Sequence, residues 1–138
     1  MTKNSKDLRS NCPINFAVET FGDKWTLLVL RDLMFKGKRH YSDFLASDEK
    51  ISTNILADRL QKLDENGVIT KSSDPDNASK FIYSLTEKGQ ALLPAMVEMT
   101  AWSASYDSLT NTPAEFLNAY KTNKDGLIEM FKSQFKHQ

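Results

Sequence analysis

The sequence predicts a mainly α fold with one small β-hairpin, an α+β arrangement in which helices supply most of the core. Three observations predict it. Apolar residues recur at helical spacing over most of the 138 residues. The period changes at one place, where the β-branched and aromatic runs Val68-Ile69-Thr70 and Phe81-Ile82-Tyr83 flank a turn-rich stretch, Ser72 to Ser79. With 40% apolar residues, including eight Phe and two Trp, the chain has enough material for a packed interior.

The elements follow in order. Pro13 can open a first helix, since its missing N–H has no partner in the first turn anyway, and Gly22 stops it. Asp23 caps a second helix, Lys24 to Lys36, whose centre is apolar almost all round and therefore belongs in the middle of a domain. Gly37 ends it. Ser42 is the expected cap of a short helix, Asp43 to Ser47. After a polar turn, Asp48 to Lys50, Ser52 caps a further helix on which Leu56, Leu60 and Leu63 form one stripe. Asn66-Gly67 supplies its stop. The hairpin with its polar tip comes next. Thr86 then caps a long helix, Glu87 to about Ser105, which Pro94 is expected to kink. Thr112-Pro113-Ala114-Glu115 restarts the tail as a capping box, and a separate last helix is expected after Asp125-Gly126. Two helices joined by a tight turn and followed by a two-stranded wing form a winged helix-turn-helix, an arrangement used to bind DNA.

Composition excludes several classes. No apolar run approaches the roughly 18 residues that cross a bilayer, and Met1 to Asn11 lacks the apolar core of a secretory signal. Membrane association is therefore not expected and cytoplasmic residence is. The single Cys12 rules out a disulfide scaffold. Eighteen Lys plus Arg balance eighteen Asp plus Glu, which argues against an unspecific nucleic-acid coat but leaves room for a local basic surface. There is no Gly-rich phosphate loop, nucleophile elbow or paired-histidine zinc helix. His40 and His137 are the only histidines and make no zinc set with one cysteine, so neither metal, cofactor nor catalytic activity is expected.

With Leu56, Leu60 and Leu63 inward, a rotation of about 100° per residue turns Asn54, Ile55, Asp58, Gln61, Lys62 and Glu65 outward. The start of such a helix enters the major groove, so Ser52, Thr53, Asn54, Asp58 and Lys62 are the candidate readers of base edges. Arg59 lies at the border of the stripe, where an internal ion pair is an equal alternative. Lys36, Lys38 and Arg39 lead into the short helix beside Ser42, and Lys71, Asn77 and Lys80 belong to the wing. These are candidate phosphate contacts, or simply solubilising charges. From Lys36 to Lys62, six Lys plus Arg face four acidic residues, a thin excess that predicts modest, salt-dependent affinity.

Several stretches resemble the HxlR family of bacterial winged-helix regulators. They are Cys12-Pro13, Gly22-Asp23-Lys24-Trp25-Thr26-Leu27-Leu28-Val29-Leu30, and Lys38-Arg39-His40-Tyr41-Ser42-Asp43-Phe44. Ile51-Ser52 with Leu56, Arg59, Leu60 and Leu63, Asn66-Gly67-Val68-Ile69, and Tyr83-Ser84-Leu85-Thr86-Glu87-Lys88-Gly89 with Leu92, Pro94 and Trp102 complete the set. The resemblance covers about residues 12 to 105. It implies a flexible segment over 1–11, a winged domain over 12–107 and a helical dimerisation extension over 108–138. It also implies a homodimer that binds a two-fold symmetric operator in double-stranded DNA, read here as a repressor.

Some relatives sense oxidants or electrophiles through a cysteine placed like Cys12, so Cys12 is a redox-sensing candidate at a helix start, the end of the dipole that favours negative charge. Its alternative is a half-buried place at the dimer contact. Ile14, Phe16, Val18, Met99, Trp102, Tyr106, Phe116, Tyr120 and Phe131 are the candidate dimer surface, or else pack on their own domain. Two other functions stay open: a winged protein-interaction module without DNA binding, and a regulator with a small-molecule pocket near Phe16, Trp102 and Tyr106.

Overall fold

A computed structural model describes residues 8–135. Most of the N-terminal segment and His137 lie outside the described residues. The chain forms two compact units, one ending at Gly89 and the other beginning at Gln90.

The first unit holds α1 (Pro13–Phe21), α2 (Thr26–Phe35), α3 (Tyr41–Leu45), α4 (Thr53–Glu65), β1 (Ile69–Asp74) and β2 (Asn77–Leu85), with α5 (Glu87–Gln90) at its end. Its core gathers Val29, Leu30, Leu33 and Met34 of α2, Phe44 of α3, Leu56, Leu60 and Leu63 of α4, and Val68, Ile69, Tyr83 and Leu85 of the wing base. Burying each large apolar side chain contributes about 1.5–3 kcal/mol. The Phe44 and Tyr83 rings meet edge to face at 6.1 Å, fastening α3 to the wing.

The helix α1 has the bounds its proline and glycine predict. α2 begins at Thr26, two residues after the expected start, because Asp23 caps it from outside. Its Oδ1 accepts from Trp25 N at 2.8 Å and Thr26 N at 3.0 Å, and Lys24-Trp25 are spent on the turn. The cap of α3 is His40 and not the expected Ser42. Asp43, three residues on, reaches back to accept from His40 N at 3.3 Å, which places Ser42 inside the first turn. Ser52 caps α4 as predicted, its hydroxyl accepting from Ile55 N, and Gly67 takes φ 73° at the far end.

The hairpin is antiparallel with Ile69 opposite Leu85, and it runs further than its composition suggests. Ser72 to Asp74 and Asn77 to Lys80 are strand, leaving only Pro75-Asp76 at the tip. Side chains stabilise that end locally: Asp74 Oδ1 accepts from Asp76 N, and Asn77 Oδ1 from Ser79 N and Oγ.

The expected long helix is two. After α5 a break precedes α6 (Leu93–Tyr106), where Pro94 occupies the first turn and starts the helix instead of kinking it. In the second unit α6 is followed by α7 (Ala114–Phe135), interrupted at Asn123, whose backbone is non-helical and whose Oδ1 accepts from Gly126 N at 3.0 Å. The tail therefore breaks before Asp125-Gly126, not after it, because the asparagine side chain caps the continuing segment. Tyr120 and Lys124 both bond Glu98, at 2.7 and 2.9 Å, and hold α7 to α6. No helix among the described residues is long and apolar enough to cross a membrane.

Candidate nucleic-acid interface

The placement of α4 rests on two polar clusters. Asp32, 2% exposed, accepts from the Ser47 hydroxyl, pairs with Arg31 at 2.9 Å and has Lys38 Nζ 3.7 Å away. Arg31 continues to Glu49 at 2.6 Å, and that hydrogen bond holds the Glu49 carboxyl down at about 2 against the cost of its own desolvation. One buried carboxylate on α2 thus fixes both sides of the turn between α3 and α4. In the second cluster Arg59 Nε donates to Asp23 Oδ1 at 3.0 Å and its Nη1 to Asp58. Burial raises the Asp23 carboxyl, but bonds from the Thr26 hydroxyl, the Trp25 N–H and Arg59 together hold it well below the usual carboxylate range.

The predicted contacts divide accordingly. Ser52, Thr53 and Asn54 are exposed at the start of α4. Asp58 is shared between Arg59 and Lys62, the latter at 3.1 Å. Lys38 turns inward to Asp32 and Ser47. The Arg39 guanidinium donates to Ser84 Oγ at 2.9 Å, while the Arg39 carbonyl accepts from Tyr83 N, so this arginine braces the wing base. Ser42, Lys71 and Lys80 line a groove of about 670 Å³ between the start of α3, the flank of α4 and the inner face of the wing. Ala57, Gln61, Ser79 and Phe81 are also on its walls, and Lys71 Nζ stands 4.2 Å over the Phe81 ring. Asn77 is exposed at the tip, its side chain engaged with Ser79.

Two features escape sequence reasoning. His40 Nε2 lies 2.9 Å from Asp74 Oδ2 and Nδ1 lies 3.4 Å from Asp43, so one imidazole joins the helix-turn-helix to the wing. Tyr41 OH donates to the Thr53 carbonyl at 2.8 Å and supports the first turn of α4. No periodicity links residues 34 apart in the chain, and the wing tip reads as solvated turn.

Of the other candidates, Cys12 is exposed. Ile14, Phe16 and Val18 project from α1 into solvent, as do Met99, Trp102 and Tyr106 from α6, with Tyr106 81% exposed. Phe116 faces Phe131 across the break in α7, and Tyr120 is tied to Glu98.

Comparison with known proteins accords with this geometry. The family model "HxlR-like helix-turn-helix" matches residues 20–111. YodB of Bacillus subtilis, an HTH-type transcriptional regulator, is 32% identical over 105 residues, which cover 75% of this chain and 93% of that one. An uncharacterized HTH-type transcriptional regulator of Synechocystis is 36% identical over 88 residues, 64% of each chain. Among solved structures, the oxidized form of the redox regulator HypR aligns with a TM-score of 0.59 at 29% identity, covering 68% of this chain and 96% of that one. Reduced YodB aligns at 0.58 and 29%, covering 72% and 98%. The chain belongs to the HxlR-like helix-turn-helix family, a family of transcriptional regulators.

Proposed function

We propose that the protein is a sequence-specific DNA-binding repressor that acts in the cytoplasm as a homodimer on a two-fold symmetric operator. The observation that carries this reading is the open first turn of α4. Ser52, Thr53 and Asn54 are exposed there, beside a groove whose cations Lys71 and Lys80 come from the wing. That geometry suits a helix start in the major groove with a phosphate strand held against the wing. Arg59, Lys38 and Arg39 serve the site by positioning α4 and the wing base.

The dimer rests on exposed apolar side chains. Ile14, Trp102 and Tyr106 are 71%, 66% and 81% exposed, and Phe16, Val18 and Met99 accompany them. A second copy of the chain is the natural cover, since a symmetric operator needs a symmetric reader. Residues 12–107 then form the reading domain and 108–138 the extension that supports the dimer, with Phe116, Tyr120 and Phe131 shaping it.

Cys12 is the proposed effector site. It is exposed at the start of α1, on the same helix as Ile14, Phe16 and Val18. YodB has been solved with a quinone bound and after diamide treatment. Addition of the Cys12 thiol to a quinone forms a carbon–sulfur bond as the thiol proton passes to one ring oxygen. The hydrogen on the attacked ring carbon then moves to the other oxygen, leaving a hydroquinone thioether, a bulky group on the α1 surface.

Selection of genomic fragments by the purified protein at about 0.15 M salt tests the reading. Enrichment of a symmetric site with half-sites about one helical turn apart is expected. A monomer in sedimentation at micromolar concentration refutes the dimer, and equal loss of operator binding in wild type and Cys12→Ser after quinone treatment refutes the sensor. Enrichment of nothing, even at low salt, would leave a protein-interaction module as the better account.

A further inference from the structure

From the free and engaged side chains of α4, we infer that Asn54 is the residue that sets base specificity, and that it reads an adenine in each half-site. The inference rests on the DNA-binding reading above and deepens it. With Leu56, Leu60 and Leu63 buried, a turn of about 100° per residue puts Asn54, Asp58, Gln61 and Glu65 on the outermost line of the helix. Three of these four are engaged. Asp58 is held by Arg59 and by Lys62 at 3.1 Å, and Gln61 donates to Glu65 at 3.0 Å.

The remaining charged side chain of the first two turns, Arg59, is spent on Asp23. Ser52 Oγ already accepts the cap bond from Ile55 N. Thr53 is exposed, but a single hydroxyl suits several bases equally. Asn54 alone in this first turn is exposed and carries its donor and its acceptor on separate atoms, and among the described residues its amide has no hydrogen-bonding partner.

Position and chemistry agree. Asn54 is the second residue of α4, at the end that approaches base edges in this class of fold. Gln61, the other amide on the line, lies about 10 Å further along the axis and faces the wing groove. An asparagine amide meets adenine with its carbonyl on the N6 amine and its NH2 on N7, a two-bond match that no other base pair offers in the major groove.

The experiment is enrichment from a random duplex library by the full-length protein, run in parallel for wild type, Asn54→Ala, Asn54→Asp and Lys80→Ala. The wild type should enrich a symmetric site with an A·T pair at one fixed position of each half-site. Asn54→Ala, with an unchanged melt, should enrich the same site with that pair degenerate, and bind the wild-type site about 5- to 150-fold more weakly per half-site. Asn54→Asp keeps the shape but loses the donor for N7, and should lose the adenine preference as well. Lys80→Ala should weaken every sequence alike. If Asn54→Ala enriches the wild-type motif unchanged, or degrades a G·C position, Asn54 is not the adenine reader while the DNA-binding reading stands. If the wild type enriches nothing at any salt, both fall together.

Discussion

Replacing Asp32 by asparagine isolates the role of the buried carboxylate under the helix-turn-helix. The substitution conserves volume and changes charge. Asp32 is 2% exposed and receives the Ser47 hydroxyl, Arg31 and Lys38. Removing one member of a buried ionic set costs about 3–5 kcal/mol, because its partners lose their counter-charge inside the protein. Arg31 and Lys38 keep 22% of their side-chain surface in water, and Arg31 retains Glu49, so the lower end applies. About 3 kcal/mol corresponds to a fall in Tm of about 10 °C for a domain of this size. Urea denaturation followed by circular dichroism measures it. The double variant with Ser47→Ala should be less destabilised than the two single effects added, since both remove the same hydrogen bond. Glu49→Gln, at the exposed end of the chain of ion pairs, should cost at most about 1 kcal/mol. If Asp32→Asn melts within a degree of the wild type, the cluster does not hold the turn and the account of how α4 is positioned fails.

Acid should destabilise the first unit through Asp23 and Glu49. Both carboxyls are depressed in the folded protein, Glu49 to about 2, so their contribution is complete above the ordinary carboxylate range and is lost as pH falls through it toward 2. Stability profiles between pH 6 and 2 should be flatter for Asp23→Asn and Glu49→Gln, and an unchanged slope would count against both pairs. Gly89→Ala should cost about 1–3 kcal/mol, because a Cβ there would press on the Val68 carbonyl, a backbone atom that cannot swing away. A neutral alanine would mean that α5 moves freely against the wing base.

Much of this fold is legible in the chain itself. The bounds of α1 follow from Pro13 and Gly22, and α4 is marked by Ser52 at one end and Asn66-Gly67 at the other. Local chemistry states these ends, and tertiary contacts agree with it. The wing is less legible, because Ser72 to Asp74 and Asn77 to Lys80 have the composition of a turn while the antiparallel ladder keeps them extended. Pro94 is ambiguous for a similar reason: a proline that kinks one helix and a proline that begins the next read alike. The exposure of Asn54 follows from its spacing to Leu56, Leu60 and Leu63. The inward turn of Lys38, Arg39 and Arg59 does not, since their partners stand 9, 45 and 36 residues away.

That inward turn sets the electrostatics of binding. The thin basic excess between Lys36 and Lys62 becomes thinner once Lys38, Arg39 and Arg59 are committed to internal bonds and Lys62 to Asp58. The cations lining the groove beside α4 are Lys71 and Lys80, and Lys71 rests on the Phe81 ring. Two such lysines per copy make four in a dimer, which at about 0.9 per neutralised phosphate gives a slope near −4 for log K against log salt. Fluorescence anisotropy with a labelled operator from 0.05 to about 0.3 M salt measures the slope. Lys80→Ala should reduce its magnitude by about 2, because each half-site then has one phosphate fewer neutralised. A slope near −8 would need about two further phosphate contacts per copy, and would mean that two or more of Lys38, Arg39 and Arg59 leave their internal partners to reach phosphate. The proposed division of labour, in which these residues hold the reading helix and the wing lysines hold the strand, would then be wrong.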